Sequence, residues 1–354
     1  MSRFFSSNFD TLTPYVPGEQ PRDTVYTKLN TNENPFPPSE KAKAYAREHL
    51  RELNLYSDPE CTELREKLAE LCGVTPQMII PCNGSDEILY FAFMAFCDDD
   101  HPVAFPDISY GFYSVFAEVN LLPYTEIPLN ENLEIVPEDY IGIGKMVVIA
   151  NPNAPTGRAL PLSDIERIVA GNPDNVVIID EAYVDFGGES AVSLVKKYDN
   201  LLVVRTFSKS RSMAGARLGF AVGCESLIAD LNTIRYSTNP YNINSMTQAM
   251  GLGVLNDEET TQKNCRTVME VREYATEELR KLGFTVIPSC ANFVFAATEK
   301  MDGGDLYRAL KEKGVLVRHF DKDRISNYNR ITIGTREQMD LLLEKLREIL
   351  GVEP

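Results

Sequence analysis

Two short polar segments, one with a carboxylate and one with a lysine, each follow an apolar run in this chain. They are Asp180-Glu-Ala-Tyr183 and Thr206-Phe-Ser-Lys209, and Arg217 follows eight residues after the lysine. An ammonium group directly after a buried strand is costly unless it is bonded to something. We therefore interpret Lys209 as an amine that holds a carbonyl cofactor as an imine. Asp180 would then pair with a ring nitrogen of that cofactor, and Arg217 with its phosphate.

A simpler interpretation of the same residues is a strand-end lysine in water and an ordinary ion pair between Asp180 and Arg217. Either segment alone favours that simpler interpretation. The two segments together, with the rest of the sequence, favour a cofactor site.

The middle of the chain alternates strands with helices. Ser163-Asp-Ile-Glu166 predicts a capping box that opens a helix. Short runs rich in β-branched residues predict strands at Lys145–Ala150, Asn175–Asp180 and Leu201–Thr206. Such alternation predicts a parallel sheet with helical crossovers, whose ligands bind at the carboxyl ends of the strands. The polar segments at these ends are Asn151–Gly157, Asp180–Tyr183 and Ser208–Lys209.

The N-terminal part of the chain differs from this alternating region. Residues 1–38 are rich in Pro, Asn and Thr without a sustained period, so we predict an extended arm and no core element. Helical patterns follow over Glu40–Leu53 and Cys61–Leu71. An apolar helix is predicted from Asn83-Gly84-Ser85-Asp86 through Cys97.

The C-terminal part predicts a small α+β domain. Helices over Glu258–Lys281 and Asp305–Lys313 are each followed by a glycine that ends them. Thr335-Arg-Glu-Gln338 predicts a capping box for the terminal helix. Strands are predicted at Phe284–Ile287, Asn292–Ala296, Val315–Arg318 and Arg330–Ile333. We therefore divide the chain into an arm (1–38), a large domain (39–250) and a small domain (251–354).

Composition excludes several classes of partner. The 354 residues are 44% hydrophobic and 25% charged, which is typical of a globular protein with one large or two moderate domains. A net charge of −17 argues against nucleic acid or an anionic membrane surface as partner. An anionic ligand would need a local cluster of arginines and helix N-termini.

Cysteine, histidine and hydropathy patterns indicate the compartment. Seven cysteines without a Cys-x-x-Cys pair fit reduced thiols in a cytosol better than disulfides or a zinc site. Three scattered histidines argue against a His-based metal site. The most apolar run, Ile88–Cys97, has ten residues, too few to cross a bilayer, and the N-terminus lacks a signal-peptide core. We expect a soluble, cytoplasmic protein that binds no metal.

Three segments resemble motifs of the fold-type I aminotransferases: Asn151-Pro-Asn-Ala-Pro-Thr-Gly157, Asp180-Glu-Ala-Tyr183 and Thr206-Phe-Ser-Lys209. The resemblance implies an α/β fold with a mainly parallel sheet, helices on both faces and a smaller α+β C-terminal domain. It also implies pyridoxal 5'-phosphate as cofactor. That cofactor serves as an electron sink when a carboxylate keeps its pyridine nitrogen protonated. A freed lysine then moves a proton between the substrate Cα and the cofactor.

More narrowly, the chain is similar to the histidinol-phosphate aminotransferase family from Leu12 to its end. The similar segments are Leu12-Thr-Pro-Tyr15, Leu29-Asn-Thr-Asn-Glu-Asn34, Ser109-Tyr-Gly-Phe-Tyr113, Pro240-Tyr-Asn242 and Arg330-Ile-Thr-Ile-Gly-Thr335. This similarity implies amino transfer between L-histidinol phosphate and 2-oxoglutarate in histidine biosynthesis, which gives imidazole-acetol phosphate and L-glutamate. It also implies a homodimer that acts on small molecules.

The resemblance implies roles for the residues of a cofactor site. Lys209 binds the cofactor covalently, Asp180 pairs with the pyridine nitrogen, and Tyr183 donates to the 3-oxygen. Tyr110 stacks on the ring. The phosphate side is held by N–H groups at a helix start and by nearby side chains. The residues implied there are Gly84, Ser85, Asp86, Thr206, Ser208 and Arg217. Alone, Gly-Ser-Asp would be a common helix cap.

One position departs from the family pattern. The family usually has an asparagine immediately before Pro-Thr-Gly, where it bonds the 3-oxygen, and this chain has Ala154. Either Asn153 reaches the oxygen instead, or Tyr183 bonds it alone.

The resemblance also implies substrate-binding residues. Arg318 and Arg330 grip the anionic end of each substrate, although either arginine alone would be a solvated strand-end charge. Tyr56 matches a tyrosine that reaches the phosphate of the neighbouring subunit's cofactor, and alone it would be a loop aromatic. Further substrate-facing positions are matched by Tyr15, Asn32 and Asn242.

The same sequence also bears on other candidate functions. A nicotinamide dehydrogenase needs Gly-x-Gly-x-x-Gly after its first strand, and Gly142-Ile-Gly-Lys-Met-Val lacks the third glycine and precedes a strand. A non-catalytic relative that uses the fold for binding would be expected to lose Lys209 or Asp180, and both are present. An aromatic amino-acid aminotransferase and an amino-acid phosphate decarboxylase on the same scaffold stay open as alternatives.

Overall fold

The computed structural model describes residues 2–21 and 23–352. Its strands are β1 (Thr27–Lys28), β2 (Ile79–Cys82), β3 (Val103–Pro106), β4 (Tyr124–Ile127), β5 (Met146–Ala150), β6 (Val177–Asp180), β7 (Leu201–Thr206), β8 (Gly219–Gly223), β9 (Phe284–Ile287), β10 (Phe293–Thr298), β11 (Val315–Leu316), β12 (Arg318–His319) and β13 (Asn329–Thr332). Its helices are α1 (Glu40–Glu48), α2 (Thr62–Cys72), α3 (Ser85–Phe96), α4 (Phe112–Val119), α5 (Leu162–Ala170), α6 (Glu225–Thr238), α7 (Ser245–Leu255), α8 (Glu258–Lys281), α9 (Gly303–Glu312) and α10 (Arg336–Leu350). Within the described ranges, every helix is too short or too polar to cross a bilayer.

A seven-stranded sheet forms the centre of the large domain, with strand order β2-β8-β7-β6-β5-β3-β4. The strands from β7 to β4 pair in parallel, whereas β8 is antiparallel to both of its neighbours. Successive side chains of a strand point to opposite faces, so the sheet separates two apolar cores. Val147 and Ile149 of β5 pack with α2, α5 and α7, while Val148 and Ala150 pack with α3, α4 and α6. The predicted fold class, a mainly parallel sheet with helices on both faces, is confirmed.

The small domain has its own sheet and core. Its four strands pair antiparallel in the order β12-β13-β10-β9. Val268 of α8, Leu310 of α9 and Leu342 of α10 belong to the core that covers this sheet. The capping box at the start of α10 is confirmed, because Thr335 and Gln338 bond each other's backbone N–H. The domain boundaries at residues 38 and 250 stay a prediction.

The prediction of an arm without a core element was wrong at the end of that segment. Strand β1 pairs in parallel with β11, and Leu29 is buried in the small-domain core. A strand of two residues has no period that a sequence pattern can reveal. The same pairing divides the predicted strand Val315–Arg318, because β11 pairs with β1 whereas β12 pairs with β13.

Two helix predictions also need correction. The helix α5 begins at Leu162 with Pro161 as N-cap and has no side-chain cap bond, so Ser163 lies inside the first turn and the predicted capping box was wrong. Proline fixes its own φ and suits a helix start, which moves the boundary upstream of the serine. The helix α1 ends at Glu48, and Leu50 and Leu53, whose spacing suggested further helix, are 43% and 64% exposed.

A smaller apolar cluster joins the two domains beside the carboxyl edge of the large sheet. Ile108 and Leu129 of the large domain pack there with Phe295 and Ile325 of the small domain. Arg324 donates from Nη1 to an oxygen of the Asp107 carboxylate at 3.0 Å and from Nη2 to the Leu129 carbonyl at 2.7 Å. These contacts join the small domain to the segments that follow β3 and β4.

Candidate active site

Two adjoining cavities lie where the small domain covers the carboxyl ends of the strands. The inner cavity, about 180 Å³, is lined by residues that include Ser85, Asp180 and Arg217. The outer cavity, about 550 Å³, is lined by residues that include Arg318 and Arg330. Both are lined by Thr31, Tyr110, Ala154, Tyr183 and Lys209. Lys209 therefore lies between two groups of residues. Asp180 and the start of α3 are on the inner side, and Arg318 and Arg330 are on the outer side.

Asp180 is the buried acid of the inner cavity. It is the last residue of β6 and is 4% exposed. Tyr113 donates its hydroxyl proton to one carboxylate oxygen at 2.8 Å, and the backbone N–H of Ala182 donates to the other at 3.2 Å. Burial, only partly offset by these bonds, raises the pKa of Asp180 from 3.8 to about 6. A cationic ring nitrogen beside Asp180 would restore the charged form.

Sequence reasoning gave Tyr113 no role, although the structure buries it completely against Asp180. The available signal was its place three residues after Tyr110, at the start of α4. Tyr110 itself precedes α4, but the two rings meet edge-on with their centres 5.7 Å apart, so an aromatic this close to Tyr110 in the chain was a candidate for the same site.

Lys209 follows β7 by three residues, in a turn that the preceding side chains shape. The N–H of Ser208 donates to Oγ1 of Thr206 at 3.1 Å, which bends the chain away from the sheet. The Nζ atom of Lys209 then donates to the carbonyl of Thr31 at 3.2 Å and lies 5.8 Å from the ring centre of Tyr183. Within the described residues, Lys209 has no carboxylate in ion-pair contact.

The start of α3 forms the opposite wall of the inner cavity. Gly84 is its N-cap at φ 79°, and in the described part of the chain no side chain caps the N–H groups of the first turn. Arg217 crosses this point and donates to Asp86 at 2.9 Å and to the Ser208 hydroxyl at 3.5 Å. A Cβ atom at Gly84 would lie 2.6 Å from Nη2 of Arg217, so only glycine allows the arginine to approach this closely. Uncapped N–H groups beside a guanidinium form a site for an anion such as phosphate.

Arg330 and Arg318 supply positive charge to the outer cavity. Nη2 of Arg330 donates to the Asn30 carbonyl at 3.2 Å, while its buried Nε has no hydrogen-bond partner among residues 2–21 and 23–352. The guanidinium carbon lies 5.3 Å from the ring centre of Phe293, and burial lowers the pKa of Arg330. Arg318 bonds only the carbonyls of Val16 and Pro17 in that part of the chain. Both arginines thus lack a carboxylate, which an anionic ligand would supply.

Tyr110 lines both cavities, and Tyr15 lines the outer one beside it. The ring of Tyr15 stacks on Phe112 at 4.2 Å and meets the ring of Tyr110 edge-on at 6.2 Å. Tyr110 donates its hydroxyl proton to Asp86 at 2.9 Å, and burial raises the pKa values of both tyrosines. Their positions agree with the predicted places of a ring-stacking and a substrate-facing residue, while their roles stay predictions.

Asn153 is not brought into either cavity. Its Oδ1 accepts from the Ser109 hydroxyl at 2.8 Å, and its Nδ2 donates to the Ile108 carbonyl at 3.0 Å and to Oγ1 of Thr156 at 3.1 Å. One amide proton therefore bonds the loop of Asn153 itself, and the other bonds the segment that follows β3. This geometry argues against the first of the two alternatives, in which Asn153 replaces the family asparagine missing at Ala154.

Two other predicted site residues also lie away from the cavities of this chain. Asn242 is buried beside α3, where its Nδ2 donates to Glu87 at 2.5 Å, and its substrate-facing role stays a prediction. Its place in a loop after a helix gave no indication of this partner. Tyr56 is 81% exposed and stacks on Tyr241 at 4.4 Å.

Comparisons with known proteins cover nearly the whole chain. Residues 24–346 match the model of the aminotransferase class I and II family. The histidinol-phosphate aminotransferase of Aromatoleum aromaticum is 48% identical over 355 residues, which cover 99% of this chain and 100% of that protein. A putative histidinol-phosphate aminotransferase from Erwinia carotovora atroseptica superimposes with a TM-score of 0.85 at 28% identity, covering 93% of this chain and 99% of that one. The Sinorhizobium meliloti histidinol-phosphate aminotransferase, solved with pyridoxal-5'-phosphate, shares the fold with a TM-score of 0.88 at 22% identity, covering 99% and 98% of the two chains.

Proposed function

Given that the chain belongs to the aminotransferase class I and II family, we propose that it transfers the amino group of L-histidinol phosphate to 2-oxoglutarate, with pyridoxal 5'-phosphate as cofactor. The products are imidazole-acetol phosphate and L-glutamate. The family and the fold predicted from the sequence motifs are confirmed. The structural observation that carries the substrate proposal is Arg330, whose buried Nε lacks a partner within the described residues at the wall of the outer cavity.

The inner cavity fits pyridoxal phosphate at both ends. The N–H groups of Ser85 and Asp86, with the Ser208 hydroxyl and Arg217, would hold its phosphate. Asp180 would pair with its pyridine nitrogen, and Lys209 would attach it covalently. When bound, this group supplies the electron sink that stabilises negative charge at the substrate Cα.

The side chains around this group hold it and move a proton. Asp180 is kept in one orientation by Tyr113 and by the N–H of Ala182. Lys209 lines both cavities. Its Nζ can therefore take a proton from the substrate Cα in the outer cavity and deliver it to the cofactor in the inner cavity. The small domain supplies part of the wall of the outer cavity, including Arg318 and Arg330.

The outer cavity suits two substrates that share an anionic end. Histidinol phosphate carries a phosphate, and 2-oxoglutarate carries a side-chain carboxylate. Arg318 and Arg330 can bind either group through forked hydrogen bonds. The local pair of arginines also explains how a chain with a net charge of −17 can bind acidic substrates.

Replacing Arg330 with alanine should lower kcat/KM for both half-reactions, by roughly ten- to a hundredfold, since it removes a charge-assisted hydrogen bond. Arg330→Lys should recover only part of the loss, because an ammonium cannot make the bidentate contact. Rapid-mixing spectroscopy with each substrate alone measures the two half-reactions separately.

The control for Arg330 is Arg336→Ala. Arg336 is an exposed arginine of the same domain that pairs with Asp340 on α10. Its loss should leave both half-reactions unchanged. A preserved rate in Arg330→Ala would contradict the proposed role. If phenylalanine or tyrosine drives the first half-reaction far faster than histidinol phosphate, an aromatic aminotransferase replaces the present proposal.

We further infer a two-fold homodimer, in which Tyr56 of each subunit reaches the cofactor phosphate of the other. Exposed apolar side chains lie in two segments, one around Tyr56 and one around Tyr241. A hydrogen bond from the Ser57 hydroxyl to the Ile243 carbonyl, 2.7 Å long, joins the two segments. An exposed apolar patch of this kind is typical of a subunit contact. The patch contains Leu50, Leu53, Leu55, Tyr56, Tyr241 and Met246.

Hybrid dimers test this shared site. Lys209→Ala and Tyr56→Ala chains, each impaired alone, should regain activity when refolded together, because one site of each hybrid combines an intact lysine with an intact tyrosine. Random pairing predicts about a quarter of the wild-type sites. Lys209→Ala mixed with Asp180→Ala should regain nothing, since both residues belong to the same subunit's site. An active monomer, or hybrids without recovered activity, would rule out the shared site.

A further inference from the structure

The side chain of Asn32 is fixed in place by residues of the small domain. Its backbone N–H donates to Oγ1 of Thr332 at 2.9 Å, and the Thr332 hydroxyl donates to Oδ1 of Asn32 at 3.1 Å. Its backbone carbonyl accepts from Nδ2 of Asn292 at 3.0 Å. Asn32 is 1% exposed, so water does not compete for these groups. The remaining group, Nδ2, donates to the hydroxyl oxygen of Tyr183 at 2.9 Å.

The hydroxyl of Thr332 decides which end of the Asn32 amide faces Tyr183. A threonine hydroxyl has one proton, and this hydroxyl oxygen already accepts from the N–H of Asn32. Its own proton therefore needs an acceptor, which Oδ1 of Asn32 provides. The reversed amide would leave a buried hydroxyl proton without a partner, at a cost in free energy. Asn32 is thus a donor to Tyr183 and not an acceptor from it.

The bond from Asn32 determines how the Tyr183 hydroxyl can take part in hydrogen bonds. Its hydroxyl oxygen accepts from Asn32, while its proton goes to no protein atom in the described part of the chain. Tyr183 lines both cavities, so that proton is available to a ligand of the inner cavity. A phenol that accepts one hydrogen bond also becomes a stronger donor of its own proton.

We propose that Asn32 is a positioning residue that keeps the Tyr183 hydroxyl proton directed at the 3-oxygen of pyridoxal phosphate. The amide protons of Asn153 are bonded to the Ile108 carbonyl and the Thr156 hydroxyl, and the methyl group of Ala154 has no donor, so neither residue shares this task. The resemblance implies that Asn32 faces the substrate, and Asn32 does line the outer cavity, while its amide has protein partners at both ends. The inference rests on the proposed function for the identity of the cofactor, but not for the identity of the amino donor.

The test is a pH titration of the visible absorption of the bound cofactor in the Asn32→Gly variant. Asn32 has φ 57°, which glycine adopts without strain, whereas alanine would add a backbone effect. A donor to the 3-oxygen stabilises the deprotonated form of the bound cofactor, so losing its alignment should move the midpoint to higher pH. The expected rise is about one pH unit, the size of one hydrogen bond.

The same substitution in a Tyr183→Phe background separates positioning from a general structural effect. If Asn32 acts through the Tyr183 hydroxyl, Asn32→Gly should shift the midpoint in the parent enzyme and leave it unchanged in Tyr183→Phe. Asn32→Asp, which keeps the acceptor for Thr332 but offers an acceptor to Tyr183, should raise the midpoint at least as far as Asn32→Gly.

Equal shifts in both backgrounds, or no shift in the parent enzyme, would overturn the role of Asn32. Neither result affects the proposed function, because the titration needs no amino donor. A purified protein without a visible cofactor band would overturn the proposed function and this inference together. Thr332→Val offers a second route to the same bond, since it removes the hydroxyl that fixes the Asn32 amide and should give a smaller rise.

Discussion

Lys209→Ala is expected to lose covalent attachment of the cofactor and about four orders of magnitude in turnover, because it removes both the tether and the proton carrier. The wild-type protein should be yellow when purified. Borohydride reduction should fix the cofactor to the peptide that contains Lys209, and mass spectrometry of the digested protein locates the added mass. The same treatment of Lys209→Ala should leave that peptide unmodified.

Two further variants separate the amine from the positive charge. Lys209→Arg keeps a cation near the Thr31 carbonyl but cannot form the covalent bond, so it should be as inactive as Lys209→Ala. Lys197→Ala removes a surface lysine paired with Glu166 and should leave activity unchanged. A fully active Lys209→Ala enzyme would end the covalent interpretation.

The placement of Lys209 and Asp180 was predictable because regular elements determine it. Strand β7 has the predicted bounds, Leu201–Thr206, and β6 ends at Asp180 as predicted. Parallel neighbours bring their carboxyl ends to one edge of a sheet, so residues that follow them must meet there. Apolar β-branched runs contain this information locally, and no knowledge of distant contacts is needed.

The partners of individual side chains were not predictable in the same way. Asn153 has bonds to Ser109 and Ile108, 44 and 45 residues away, and Asn242 pairs with Glu87, which is 155 residues away. An amide can satisfy its donors with many partners, so its orientation depends on which of them the fold brings near. The Nε of Arg330, which has no partner within residues 2–21 and 23–352, likewise depends on where the fold places the other elements.

Strand β1 shows a related limit for backbone structure. Its two residues pair with β11, far along the chain, and the pairing buries Leu29 and places Asn32 beside Tyr183. Strand pairing uses backbone groups, which every residue type except proline can supply in full. The composition of this segment could therefore stay like that of a loop. Hence the residue that positions Tyr183 lies in what the sequence presented as an arm.

Asp180→Asn should have opposite effects on catalysis and on the stability of the cofactor-free protein. The amide cannot hold a proton on the pyridine nitrogen, so the proton-transfer step should slow by about 10²- to 10³-fold. The amide oxygen can still accept from Tyr113, which keeps the local geometry. Single-turnover kinetics should show the loss in the chemical step, and unchanged rates would mean that Asp180 is only structural.

The stability effect follows from the raised pKa of Asp180. Burial moves it from 3.8 to about 6, which corresponds to about 3 kcal/mol. A carboxyl whose pKa is higher in the folded state destabilises that state as pH rises, starting near its unfolded pKa and levelling off above about pH 6. Asparagine has no charge to bury, so urea unfolding of the cofactor-free proteins should show Asp180→Asn gaining stability over wild type from pH 4 to pH 7. With cofactor bound, the wild type should be the more stable of the two proteins. The cationic ring nitrogen offsets the buried charge of Asp180 in the wild type, and it has no counter-charge in Asp180→Asn. A stability difference that does not change with pH would mean that burial does not destabilise the charged form of Asp180 in the folded protein. The proposed pairing of this carboxylate with a ring cation would then lose its basis.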